Sequence, residues 1–180
     1  MQNPFIIGDR LYLRPVEVED GDAHVPWRSD AEIRQYMGMP SPTNRIRERE
    51  SLEGCYKNDR NIHLGIALRK NDQLIGGIGL YYISMPHRHA ELGILIGDRN
   101  CWSKGYGTEA MNLILEYGFN QLNLHRIYLF VLDFNPRAIR AYEKVGFKRE
   151  AVFRDHGYRN GEYCDDHAMS ILEDEWRTGT

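Results

Sequence analysis

Apolar and polar residues alternate over Leu11–Pro15, the period-two mark of a strand with one buried face. Glu17, Glu19 and Asp20 then precede a stretch, Ala23–Tyr36, that predicts a helix with acidic residues at its start. After the turn-rich segment MGMPSPTN, a second helix is expected over Arg45–Lys57. Strands over His63–Arg69 and Gln73–Tyr82 follow, joined by Asn71 and Asp72 as a hairpin turn. Along His89–Ile96, residues Ala90, Leu92, Ile94 and Ile96 share one face, and His89, Glu91, Gly93 and Leu95 share the other. Thr108–Leu122 places Met111, Ile114, Leu115, Gly118 and Leu122 at helical spacing. RIYLFVL, Arg126–Leu132, reads as a buried strand. The next helix is delimited by Asn135 as N-cap, Pro136 at its first position and Gly146 as its stop, with Ala138, Ala141, Tyr142 and Val145 as its apolar stripe. Lys148–Tyr158 and Tyr163–Leu172 close the chain as a hairpin around Asn160 and Gly161.

This order of elements predicts an α/β (α+β) fold: a mixed, mostly antiparallel twisted sheet of about seven strands flanked by four helices on both faces. No linker-like stretch and no internal repeat interrupts it, so one domain is expected over residues 1–180.

Composition narrows the functional classes. With 42% apolar and 11% aromatic residues, the 180-residue chain can bury a core. Its 23 basic and 26 acidic residues give a net charge of −3, which offers no basic field for nucleic acid or anionic lipid. Small-molecule or peptide partners are expected. No apolar run approaches the roughly 20 residues that span a bilayer, and MQNPFIIGDR lacks the basic and apolar regions of a leader, so a cytoplasmic location is expected. Cys55, Cys101 and Cys164 are odd in number and show no CxxC spacing, which indicates neither a disulfide framework nor a zinc knuckle. His156, His167 and Asp165 lack further ligands on their hairpin, and no metal is expected.

The chemistry concentrates in the loop GDRNCWSKGYGTEA, Gly97–Ala110. Gly105 and Gly107 let backbone approach a ligand, and the N–H groups from Gly105 to Thr108 would open a helix N-terminus, an arrangement that suits phosphate. Lys104 adds a charge beside them. The Walker pattern is absent because Lys104 precedes Gly105. Gly105, Gly107 and Ala110 match G-x-G-x-x-A by letter, but that motif belongs in the first unit of a parallel sheet, and Asp133 lies beyond the usual ribose-binding distance. NAD-type nucleotide binding stands as the alternative.

WSKGYG after the strand ELGILIG, and NPRAIRAYEKVGF after RIYLFVL, resemble the two signature motifs of the GCN5-related N-acetyltransferase (GNAT) superfamily. The opening RLYLRPV, the helix WRSDAEIRQYM and the closing YRNGEY hairpin resemble its ribosomal-protein-alanine and spermidine N-acetyltransferases. The resemblance implies acetyl-coenzyme A as cosubstrate, with its pyrophosphate in the motif Q/R-x-x-G-x-G/A. Trp102 stands at the Q/R position, followed by Ser103, Lys104, Gly105, Tyr106, Gly107 and Thr108. It further implies that the strand ending at Ile94, Leu95 and Ile96 splays to admit pantetheine and that Asn135 holds pantetheine; Arg137 and Arg140 are candidates to meet phosphates, with simple solvation as the alternative. Tyr142 is implied as the acid that protonates the leaving thiolate, against the alternative of a core tyrosine.

Glu91, on the polar strand face, is the candidate base for the amine, with solvent as the alternative; His87 and His89 read as solvated. Trp27, Tyr36, Glu162, Asp165 and Asp166 form a candidate acidic and aromatic rim for a cationic acceptor, with a solvated hairpin as the alternative for the acids. The expected reaction is direct transfer to a primary amine of a protein N-terminus, polyamine or other small molecule. Cys101 has no histidine spaced to activate it. A non-catalytic coenzyme-A-binding sensor is the other alternative, and exposed strand edges allow a homodimer.

Overall fold

The computed structural model describes residues 1–38, 41–55 and 57–179. Eight strands form one sheet: β1 (Ile6–Ile7), β2 (Leu11–Pro15), β3 (Ile62–Leu68), β4 (Leu74–Ser84), β5 (His89–Ile96), β6 (Arg126–Leu132), β7 (Lys148–Arg159) and β8 (Glu162–Leu172), in the order β1-β2-β3-β4-β5-β6-β8-β7. Six helices accompany them among the described residues: α1 (Gly21–Ser29), α2 (Ala31–Arg34), α3 (Arg45–Cys55), α4 (Tyr106–Asn120), α5 (Pro136–Lys144) and α6 (Glu173–Thr178).

The expected seven strands become eight, and the first of the four expected helices becomes two, for local reasons; α6 is a further short helix that the pattern did not announce. The two-residue β1 pairs Ile6 with Leu13, too short to register as a pattern. The expected helix over Ala23–Tyr36 is broken at Asp30, whose backbone is extended and whose carboxylate accepts the N–H groups of Glu32 and Ile33. That cap ends α1 and starts α2. Tyr56, within the expected second helix, lies outside the described residues. The closing hairpin turns at Asn160 and Gly161, both with positive φ, as its sequence requires.

All pairings are antiparallel except β5–β6, which α4 joins as a crossover. Side chains on α4 pack on the face that carries Leu80 and Ile127, beside Gly118, with Met111, Ile114, Leu115 and Phe119 buried in the core. Trp27 of α1 covers the opposite face at Gly97. A buried ion pair fixes this second layer: Arg14 donates from both terminal nitrogens to the two oxygens of Asp20, at 2.8 and 2.7 Å, just before α1.

The β5–β6 pair is the functional irregularity. Among the described residues it is registered only at His89–Arg126, Ala90–Ile127 and Glu91–Tyr128, after which β6 continues against β8 and leaves one edge of Leu92–Ile96 without a strand partner. Gly97 N–H donates to Ile75, opposite it in register, so alternation turns the polar groups of Gly93 and Leu95 to β4. Those of Leu92, Ile94 and Ile96 face the gap.

Candidate active site

A cleft of about 840 Å³ opens along this gap. One rim of the cleft is the start of α4. Gly105 is the N-cap at φ +80°, a left-handed conformation that favours glycine, and among the described residues no side chain caps the helix, so its first N–H groups stay free for a ligand. Gly107 has a different reason to be glycine: a Cβ there would meet Ile96 and Ile94 at ordinary distances of 3.8 and 3.9 Å, so the protein itself has room for one.

The loop is braced from outside the cleft. Arg10 donates to the carbonyl of Lys104 at 2.9 Å, pairs with Glu109 at 2.7 Å and stacks on Tyr106. Trp102 donates its indole N–H to the carbonyl of Ile96 at 2.7 Å, and the Arg137 guanidinium lies 3.5 Å from its ring centroid. The tryptophan at the Q/R position thus carries a cation from α5 to the loop. Asn135 caps α5 by accepting from Ala138 N–H at 3.2 Å, and Arg140 and Lys144 of that helix also face the cleft.

Of the residues expected here, Glu91, Ile94, Leu95, Ile96, Trp102, Ser103, Gly105, Tyr106, Gly107, Thr108, Asn135, Arg137, Arg140, Tyr142, Trp27 and Tyr36 all line the cleft. Lys104 does not: it is exposed and offers its carbonyl to Arg10. Glu162 and Asp165 are likewise corrected. Glu162 begins β8 at the exposed hairpin tip, and Asp165 accepts the N–H of Asp155 at 2.9 Å, away from the cleft. Adjacent strand residues face opposite sides, so Asp166 alone of these acids reaches the cleft, and it is bound by His156 at 2.7 Å.

Tyr142 is buried against Phe147, and burial pushes its phenol up to about 12, which keeps it protonated at neutral pH. Burial also raises the Glu91 carboxyl. Cys101 lines the cleft, but burial and the neighbouring Asp98 raise its thiol and disfavour the thiolate.

Sequence reasoning missed His24, Arg28, His63, Tyr81 and Arg159, which complete the far wall. Glu48 of α3 is buried and holds Arg28 at 3.3 Å, with Thr43 donating to the same carboxylate. The available signal was the glycine-rich run Gly76-Gly77-Ile78-Gly79 inside a strand, which marks close approach of other groups.

Residues 10–148 match the family model described as "Acetyltransferase (GNAT) domain". The chain belongs to the GNAT acetyltransferase family. It is 33% identical to the "Uncharacterized N-acetyltransferase YoaA" of Bacillus subtilis over 173 residues, covering 94% of this chain and 97% of that one. It is also 33% identical to the spermidine N(1)-acetyltransferase of Vibrio cholerae over 170 residues, with the same coverage. The crystal structure of the Vibrio cholerae spermidine N-acetyltransferase in complex with CoA and spermine superposes with a TM-score of 0.86 at 29% identity, over 94% of this chain and 99% of the other. Among the described residues no helix is long and apolar enough to cross a membrane, and no group of three metal-ligating side chains occurs.

Proposed function

We propose that this acetyltransferase moves the acetyl group of acetyl-coenzyme A directly to a small primary amine. The reading is carried by one conjunction: the uncapped N-terminus of α4 and the unpaired edge of β5 open into the same cleft, with the protonated Tyr142 lining it as well. The α4 N–H groups hold the pyrophosphate, with Arg137 and Arg140 as its cations. Asn135 and the polar groups of Ile94 and Ile96 hold pantetheine and the thioester carbonyl.

The amine nitrogen attacks the thioester carbon. As the C–N bond forms, negative charge grows on the carbonyl oxygen, and a fixed backbone N–H aimed at it lowers the barrier by a few kcal/mol. Collapse breaks the C–S bond, and the thiolate takes the proton of the Tyr142 hydroxyl. The amine's surplus proton leaves to Glu91, whose raised affinity for protons suits the task, and solvent returns one to Tyr142. No acyl-enzyme forms, in keeping with the protonated state of Cys101.

Among the described residues the carboxylates lining the cleft are Glu91 and Asp166, and Asp166 is already engaged by His156. One free negative charge favours an acceptor with a single ammonium group over a linear polycation. Three unpaired cysteines support a cytoplasmic location, and the dodecameric structure of the Vibrio cholerae spermidine acetyltransferase supports self-association here.

The test is thermal melting with acetyl-coenzyme A, coenzyme A, ATP and NAD side by side, followed by thiol release with n-butylamine, spermidine and the peptide Ala-Ala-Ala. A coenzyme at 100 times its dissociation constant should stabilise by about 2.7 kcal/mol. A shift with NAD alone, or none with either coenzyme form, would sink the reading.

A further inference from the structure

The acceptor-side wall is built on glycine. A Cβ on Gly77 would stand 3.1 Å from His63 Nε2, one on Gly93 2.8 Å from Tyr81, and one on Gly97 2.0 Å from Trp27. The three rings therefore lie directly on the sheet, and all three line the cleft. Trp27 and Tyr81 offer apolar and π surface to a cation. His63 differs in carrying a ring nitrogen that can accept a hydrogen bond.

Which nitrogen accepts is set from behind. Cys55, the last residue of α3, donates its thiol hydrogen to the carbonyl of Ser51 at 3.3 Å, and its sulfur lies 3.4 Å from His63 Nδ1. When that hydrogen stays on Ser51, the sulfur meets His63 as an acceptor, and Nδ1 then bears the ring hydrogen while Nε2 bears the lone pair. Burial keeps both groups neutral: it lowers His63 to about 4 and raises the Cys55 thiol. Nε2 has no hydrogen-bond partner among the described residues and stands over Gly77 on the cleft wall.

We propose that His63 binds the acceptor, its Nε2 taking a hydrogen bond from the incoming amino group, and that Cys55 is a positioning residue that fixes the tautomer. This rests on the acetyltransferase reading above. The ligand class is an aliphatic primary amine, whose N–H reaches Nε2 while its chain lies along the Trp27 and Tyr81 rings. An N–H facing Nε2 also fixes the direction of the nitrogen lone pair, which must point at the thioester.

Two measurements test it on the intact protein. Nitrogen-15 NMR of the His63 ring, with no acceptor added, should show hydrogen on Nδ1 in the wild type and in Cys55→Ser, and a shift to Nε2 in Cys55→Val. A wild-type ring protonated on Nε2 would overturn the proposal. Steady-state kinetics with the best amine of the panel above should show acceptor KM raised about tenfold in His63→Ala and Cys55→Val, with acetyl-coenzyme A affinity and melting temperature held. Cys55→Ser, which can both donate to Ser51 and accept from Nδ1, should restore the wild-type KM. Acceptor KM within twofold of wild type in both His63→Ala and Cys55→Val would also overturn the proposal, whereas failure of the wild type to respond to either coenzyme form would instead remove the acetyltransferase reading beneath it.

Discussion

Two glycines two residues apart, Gly105 and Gly107, should respond to alanine with opposite signs of stability. At Gly107, in the first turn of α4, a Cβ finds neighbours only at 3.8 and 3.9 Å, so it enters without strain. Alanine in a helix is favoured over glycine by up to about 1 kcal/mol, which for a chain of this size raises the melting temperature by about 2–4 °C. The same Cβ stands on the cleft wall, where the coenzyme's phosphates must approach the helix N–H groups. Loss of one or two hydrogen bonds to a charged group, each worth about 1.5–3 kcal/mol, weakens coenzyme binding by about 100-fold. At Gly105, with φ at +80°, alanine meets a left-handed penalty of about 1–2 kcal/mol and lowers the melting temperature. The assay pairs melting curves with calorimetric titration of coenzyme A for wild type, Gly107→Ala and Gly105→Ala. Gly107→Ala that binds coenzyme A within threefold of wild type would refute the placement of the phosphates at this helix end.

Tyr142→Phe should lower kcat by a factor of about 10²–10⁴ while acetyl-coenzyme A affinity changes less than threefold, as stopped-flow binding and thiol release will report. Cys101→Ala should retain most activity in the same assay, and a loss of several orders of magnitude with intact coenzyme binding would restore an acyl-enzyme route. Asp20→Asn should destabilise the fold by about 3–5 kcal/mol in urea titration, because it leaves the Arg14 guanidinium buried without its carboxylate. The Asp20 carboxyl is raised by burial but held below its ordinary value overall by the Arg14 hydrogen bonds. Its contribution is therefore full above the unfolded pKa of about 3.9 and lost as pH falls through the lower folded value, so the wild type and Asp20→Asn should converge in stability under strong acid.

Much of the architecture was legible in one dimension because each element carries its own period and its own stops. His89–Ile96 and Arg126–Leu132 occupy the expected residues, and the helix between Asn135 and Gly146 begins and ends at its chemical punctuation. The first helix was misjudged because Asp30 can either sit inside a turn of helix or cap the next one, and its own short-range hydrogen bonds decided for the cap.

The candidate site divides along the same line. The coenzyme half depends on backbone at a helix start and a strand end, which glycines and an Asn-Pro pair announce, so nearly all the residues expected there line the cleft. Lys104, Glu162 and Asp165 drop out because a side chain's direction depends on strand register and on its neighbours, such as Arg10 and Asp155, that lie far away in sequence. The acceptor half is assembled across α1, α3, β3, β4 and β5. Glycine at 77, 93 and 97 on the sheet has meaning only once His63, Tyr81 and Trp27 are laid upon it. Sequence by itself determined most of the elements and the glycine loop that opens α4, since both arise from local backbone preferences. The wall proposed for the acceptor takes shape only in tertiary packing, where contacts between distant residues choose which side chains share one space.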